Sequence, residues 1–338
     1  MPHQISELRQ DLVSGDWVVI ATGRAKRPHD FLVARHVREA QPVDSCPFED
    51  LHGDAVFSSV THGEVGPENW SVQVIPNKYP AFDKAACATF NTHGPYQWTD
   101  GAGFHEVVIT RNHTRSFAML KNGDVEAVLA AYQKRYRVFQ EDACVQYVSI
   151  FHNHGPRAGA TVTHPHSQMI AIPVIPPDVG RSLDGSARYF ATHHTCVHCT
   201  MLAYEQEAGE RIIYENDVCA VFAPYASHAA FEVRIFPKKH AAQFEEMDTA
   251  TRAGVADALR TALAKLFIGL EDPDYNFFIH TAPAKNPAAL AHYHWHIEIL
   301  PKTAVWAGFE LGTGIEISTI APETAAEFLR SVVVENGS

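Results

Sequence analysis

Two stretches of this chain alternate histidine with other residues and then run into an apolar segment closed by proline. The first is His164-Pro165-His166-Ser167-Gln168, followed by Met169 to Pro173. The second is His292-Tyr293-His294-Trp295-His296-Ile297-Glu298, followed by Ile299-Leu300-Pro301. Residues two apart share one face of a strand, so each stretch predicts a strand with polar rings along one side. Such a histidine pair can divide two jobs, one ring held by a metal or hydrogen bond and the other free to attack phosphorus or carry a proton. The plainer alternative is a polar strand end whose rings are merely hydrogen-bonded. Two copies in one chain point to an internal duplication.

The order of elements supports that duplication. Strand patterns at Trp17 to Ala21, Ser71 to Pro76 and Phe104 to Thr110 precede a helical pattern from about Asp124 to Gln140. Tyr147 to His152 and the loop Asn153 to Thr163 then lead into the first histidine strand. The second half repeats this with Val218 to Ala223, Phe231 to Pro237, a helix from about Thr249 to Leu270, Tyr275 to His280, a loop and the second histidine strand. Each half also has a Cys-led turn (Cys46-Pro47-Phe48-Glu49 and Cys196-Val197-His198-Cys199) and a histidine after a strand, His113 or His240. Together with the histidine strands, that is the ligand supply of a tetrahedral zinc site. Pro173 to Asp184 reads as a linker, and Pro322 to Val333 as a short amphipathic helix.

With 338 residues, 46% of them hydrophobic, the chain can build two domains or one domain of two similar halves. There are 39 acidic residues against 27 basic ones, and the formal charge of −12 argues against nucleic-acid or anionic-membrane binding. No leader pattern or run of 18 apolar residues is present, so a soluble, cytoplasmic protein is expected. Six cysteines are too sparse for a disulfide framework. The 21 histidines crowd near the cysteines and the alternating strands, which favours metal ligation.

Several ordered motifs carry a wider resemblance. They are Glu7-Leu8-Arg9, Gly15-Asp16-Trp17-Val18, Arg24-Ala25-Lys26-Arg27-Pro28, Pro76-Asn77-Lys78-Tyr79-Pro80, the loop Asn153 to Gly159, His164 to Gln168, Gly308-Phe309-Glu310 and Gly312-Thr313-Gly314. By these the chain resembles the galactose-1-phosphate uridylyltransferase family of the histidine-triad superfamily, including its relatives acting on ADP-sugars. The resemblance implies an α+β fold of two tandem histidine-triad-like halves, each an antiparallel sheet flanked by helices: residues 1–175 with the nucleophile and 185–338 with a zinc site. It also implies a homodimer.

The same resemblance makes His166 the nucleophile and Gln168 a neutral donor to the phosphoryl group. It places phosphate binding on Asn153, Gly155, Gly159 and Thr161, with Arg157 as a further donor; nucleotide contacts on Arg24, Arg27 and Asn77; and a hexose contact on Glu310. Phe309 stands where galactose-specific members tend to have tyrosine, and the Lys and Gln those members use near Ala304 and Glu316 are missing. For metal, Cys196, Cys199, His240 and His294 would form a closed Cys2His2 site. Cys46, His113 and His164 would form a weaker one, with Glu49 where the second cysteine is expected and Asp50 or His52 able to substitute. One or two zinc ions per chain and no organic cofactor are expected.

The expected partners are a nucleotide sugar and a sugar 1-phosphate. The activity implied is ping-pong transfer of UMP from UDP-glucose to galactose 1-phosphate through a nucleotidyl-histidine. An ADP-sugar phosphorylase using inorganic phosphate is the first alternative, to which Ser167 and the Gly312-Thr313-Gly314 segment lean. A nucleotide-binding protein that senses without turnover is the second.

Overall fold

Alternation of buried and exposed side chains organises the central sheet. The computed structural model describes residues 5–21, 31, 38–49, 55–59, 69–84, 87, 89–285, 290 and 292–334. Its first half contains β1 (Glu7–Gln10), β2 (Trp17–Ile20), β3 (Phe57–Ser59), β4 (Val72–Pro76), β5 (Asn91–His93), β6 (Tyr96–Trp98), β7 (Phe104–Thr110), α1 (Asn122–Glu141), β8 (Tyr147–His154) and β9 (His166–Ile172). Then come α2 (Pro177–His193), α3 (Val197–Ala208), β10 (Ile212–Glu215), β11 (Cys219–Phe222), β12 (Val233–Pro237), α4 (Thr249–Gly269), β13 (Tyr275–His280), β14 (His296–Pro301), α5 (Gly308–Thr313), β15 (Ile317–Ser318) and α6 (Pro322–Ser331).

Ten strands form one sheet in the order β10-β11-β12-β14-β13-β8-β9-β7-β4-β3. The two antiparallel half-sheets are therefore continuous, joined where β8 pairs antiparallel with β13, Phe151 opposite Phe278. One face is covered by α1 and α4, which pack against each other as well as on the strands of their own halves. Along α4, Val255, Leu259, Leu263 and Leu266 form a fully buried stripe at helical spacing. Each such side chain contributes roughly 1.5–3 kcal/mol on burial. Asp248 caps this helix by accepting the Thr251 N–H at 2.7 Å.

Period-two alternation sends Met169 and Ala171 of β9, Val148 and Ile150 of β8, and Ile297 and Ile299 of β14 into the core beneath these helices. Their neighbours His166, Gln168, Asn153, His296 and Glu298 consequently project from the opposite face. Among the described residues no helix is long and apolar enough to cross a membrane.

Three expectations need correction. The Pro173–Asp184 segment is not a linker throughout, because α2 starts at Pro177. Proline at the first helical position gives up an N–H that has no intrahelical partner anyway, so it starts this helix rather than preventing it. His164 lies two residues before β9, and His292 to Trp295 precede β14, rather than within those strands. Finally, although the cysteines make no framework, Cys87 and Cys144 are disulfide-bonded.

Candidate active site

His166 opens β9, and its Nδ1–H donates to the His164 carbonyl oxygen at 2.9 Å. A carbonyl can only accept, so the proton sits on Nδ1 and Nε2 keeps its lone pair. Burial lowers the pKa of this ring from the usual histidine value, against a smaller raising effect of the backbone bond. His166 is thus a neutral imidazole at pH 7 with one nucleophilic nitrogen. The Phe48 ring lies 5.0 Å from it, centroid to centroid.

Gln168 is oriented by a residue the motifs did not single out. The Ala81 N–H donates to His105 Nδ1 at 3.1 Å, which puts the imidazole proton on Nε2, and that nitrogen lies 2.7 Å from Gln168 Oε1. The amide oxygen is occupied as an acceptor, leaving the NH2 edge as the donor. Asn77, whose Oδ1 accepts the Tyr79 N–H, stands beside this group with Nδ2 3.0 Å from the same His105 nitrogen, two donors side by side and no bond between them. Beneath the strand, Tyr132 Oη donates to Ser167 Oγ at 2.5 Å, and His152 Nδ1 lies 3.2 Å from that oxygen. Ser167 thereby ties the strand beside His166 to α1 and β8.

The glycine loop is built differently from expectation. Gly155 and Gly159 have φ of +84° and +89°, a region that side-chain-bearing residues rarely occupy, and a Cβ on Gly155 would stand 2.2 Å from Asp274 Oδ1. The N–H groups of Ala158, Gly159 and Ala160 donate to carbonyls within the loop, and that of Arg157 donates to Asp274 Oδ2 at 2.6 Å. These four donors stabilise the loop itself. Gly155 and Arg157 line a cavity of about 500 Å³ with Arg38, Asp272, Asp274 and Lys302, a wall that His166 and Gln168 do not join. Asn153 is fixed by Asn276, whose Nδ2 donates to Asn153 Oδ1 and to the Ala158 carbonyl, both at 2.8 Å. Thr161 is exposed at the far end of the loop. Glu310 caps its own helix by accepting the Ala307 N–H at 3.0 Å. Arg24, Arg27, Asp50 and His52 lie outside the described residues.

Both predicted metal clusters assemble, each with all its ligand atoms within 4.8 Å of one another. In the first, His164 Nε2 is 2.7 Å from the Thr110 carbonyl and His113 Nε2 is 2.6 Å from that of Gln41. Both protons therefore sit on Nε2. The two Nδ1 lone pairs face another acceptor, Glu49 Oε1, at 3.3 and 2.9 Å, while Cys46 Sγ lies 3.5 Å from His164 Nδ1. Convergent lone pairs and a carboxylate repel one another unless a cation sits among them, so this donor set fits a divalent metal. In the second cluster Cys199 Sγ is 3.2 Å from His240 Nδ1 and 3.5 Å from His294 Nδ1. Cys196 caps the N-terminus of α3. The Cys199 hydrogen bond, with help from His294, outweighs burial and holds the Cys196 thiol below the usual cysteine value. A thiolate there suits metal binding.

The second triad repeats the geometry with different chemistry. His296 Nδ1 donates to the His294 carbonyl at 3.1 Å, as in the first copy. In place of glutamine, Glu298 stands 3.4 Å from His296 Nε2 and is paired with Arg234 at 3.0 Å, which also meets Glu232 and Asp11. A carboxylate is an acceptor and cannot donate to a phosphoryl oxygen as an amide can, and Glu298 is already engaged by Arg234 and His280.

His105, Asn276, Asp274 and Arg234 were missed by the motifs. The one available signal was polarity on otherwise apolar strands: His105 inside Phe104–Thr110, Asn276 inside Tyr275–His280 and Arg234 inside Val233–Pro237.

The fold and the comparisons with known proteins define a transferase with histidine-triad features. Residues 2–176 match the model for the galactose-1-phosphate uridyl transferase N-terminal domain, and residues 205–304 match the HIT domain. An ADP-glucose phosphorylase of Arabidopsis thaliana is 34% identical over 98% of this chain and 94% of its own length. A galactose-1-phosphate uridylyltransferase of Thermotoga maritima is 26% identical over 97% and 99%. A solved structure of the Arabidopsis thaliana ADP-glucose phosphorylase with bound ADP-glucose superposes with a TM-score of 0.81 at 30% identity, covering 98% of this chain and 100% of that one. The chain belongs to the galactose-1-phosphate uridyl transferase family and is a nucleotidyltransferase-type enzyme.

Proposed function

We propose that this protein transfers the nucleotidyl group of a nucleotide sugar through a covalent intermediate on His166, with an ADP-sugar as donor and inorganic phosphate as acceptor. The observation that carries the reading is the neutral His166 ring, with its Nε2 lone pair free while the His164 carbonyl holds Nδ1–H. In the first step Nε2 attacks the α-phosphorus. A P–N bond forms, the bond from that phosphorus to the bridging oxygen breaks, and the electron pair leaves with the sugar 1-phosphate. In the second step a phosphate oxygen attacks the same phosphorus, the P–N bond breaks, and the electron pair returns to Nε2, releasing ADP. Gln168, oriented by His105, supplies N–H donors to the developing charge without titrating.

The identity to an ADP-glucose phosphorylase supports adenylyl over uridylyl transfer. UMP transfer from UDP-glucose to galactose 1-phosphate is the second reading, favoured by the N-terminal family match. We read residues 1–175 as the catalytic half and 185–338 as the supporting half. Zinc would be held by Cys196, Cys199, His240 and His294, and a divalent metal by Cys46, Glu49, His113 and His164. When bound, these ions fasten the turns around the sheet. The exposed apolar side chains Val305, Trp306, Phe309 and Leu311 support a homodimer in which this segment meets the partner, with Glu310 toward the hexose.

Intact-mass measurement under non-acidic conditions after mixing with ADP-glucose or UDP-glucose tests the reading. An AMP adduct is expected; a UMP adduct alone would favour the second reading. No adduct in protein that binds either nucleotide sugar would exclude covalent transfer.

A further inference from the structure

We propose that the two metal clusters are functionally unequal: Cys46, Glu49, His113 and His164 form an exchangeable divalent-metal site, whereas Cys196, Cys199, His240 and His294 retain their metal. The ligand sets make the difference, a carboxylate standing in place of a second thiolate, and Arg111 widens it by holding the other carboxylate oxygen. This inference rests on the metal reading given above.

Glu49 presents only one oxygen to its cluster. Oε1 faces His113 Nδ1 and His164 Nδ1, while Oε2 accepts from Arg111 Nη1 at 2.8 Å. The guanidinium is held in place by the Trp70 ring, 5.1 Å from its central carbon. A bidentate carboxylate is thereby prevented. A fixed positive charge also draws electron density from Glu49 and repels a divalent cation nearby. The first cluster then offers one thiolate and one weakened carboxylate where the second offers two thiolates.

Solvent access argues the other way, since His240 is exposed while Cys46 and His164 are buried. Access sets how fast water or a chelator arrives. Release still requires the metal–ligand bonds to break, and thiolates hold zinc-like ions more strongly than a carboxylate does. The ligand set decides. An oxygen-bearing set also accepts Mn2+, Fe2+ or Co2+ more readily than a thiolate-rich one.

Exchange at this cluster reaches the nucleophile by a short path. His164 is a ligand through its ring, and its carbonyl oxygen is the acceptor for His166 Nδ1–H.

The test uses full-length protein loaded with Zn2+, its content measured by mass spectrometry of the metal, then challenged with excess EDTA. Metal loss is followed by sampling the protein-bound zinc through time. Two phases are expected, one equivalent leaving at least about tenfold faster than the other. Glu49→Cys should remove the fast phase, and Glu49→Gln should leave one bound equivalent instead of two. Wild-type protein exchanged into Co2+ gives an independent reading should the cysteine variant fail to fold. There the first equivalent to exchange should show about half the thiolate-to-cobalt charge-transfer absorption of the second. Two equivalents leaving in a single phase, equal charge-transfer bands, or a fast phase surviving in Glu49→Cys would overturn the inference while leaving the metal reading intact. Protein unable to bind any divalent metal would overturn both.

Discussion

The His166 Nδ1–H donates to the carbonyl oxygen of His164, 2.9 Å away, so one backbone atom decides which nitrogen of the nucleophile is free. Removing the ring should remove the chemistry and little else, because His166 lies on the sheet face opposite the helix-packed core. His166→Gly is expected to fold with a near-native thermal transition and to form no nucleotidyl adduct with ADP-glucose. An adduct persisting in that variant would move the nucleophile elsewhere, with His296 the first residue to examine.

His105 acts through Gln168. Without it the Gln168 oxygen loses its donor at 2.7 Å, and the amide no longer presents its NH2 edge in a fixed direction. We expect His105→Ala to slow adduct formation about tenfold, equivalent to ~1.4 kcal/mol, with little change in nucleotide-sugar affinity. Single-turnover mass spectrometry separates the two quantities. Equal loss of affinity and rate would instead mark His105 as a simple binding residue, and His105→Gln should recover part of the rate if orientation is its role.

Arg234 is buried among Asp11, Glu232 and Glu298. Arg234→Met leaves these carboxylates without their cation and should destabilise the fold by roughly 3–5 kcal/mol. Adding Glu298→Met should recover part of that loss. Urea unfolding of the single and double variants checks both statements, and a double variant no better than the single one would count against the pairing.

His228 gives a stability signature in alkaline solution. Burial pulls its pKa down, but the Glu316 hydrogen bond and the Glu232 charge outweigh it and raise the group to about 9. Because the folded pKa lies above the unfolded value near 6.5, the contribution is complete below about pH 6.5 and is lost as pH rises through about 9. The loss should amount to roughly 3 kcal/mol. Comparing wild type with His228→Gln from pH 6 to 10 isolates it: the difference in unfolding free energy should shrink toward high pH. A constant difference would reject the assignment.

Much of the sheet was legible from local pattern. Phe104–Thr110 was placed residue for residue, and Tyr147–His154 and Tyr275–His280 were located, because apolar alternation is itself the cause of one face being buried. The residues of the two cysteine–histidine clusters were legible for another reason: cysteine and histidine in repeated order are uncommon enough to stand out before the chain is folded. The start of α2 was missed because its prolines read as a break, although proline at a first helical turn costs no hydrogen bond. The phosphate-loop reading named the glycines, yet their positive φ and the Arg157 N–H bond to Asp274, more than a hundred residues away, show only in the folded chain.

Sequence alone determined the duplication, the alternating strands and which residue types gather in each half, since these follow from spacing and side-chain chemistry along a single element. Only the tertiary structure decided that the two half-sheets join through β8 and β13, that the His105 ring meets the Gln168 amide oxygen, and that Arg111 occupies one oxygen of Glu49. Those outcomes depend on pairing between distant strands and on which acceptor each buried donor finds, and neither is encoded in any short stretch of residues.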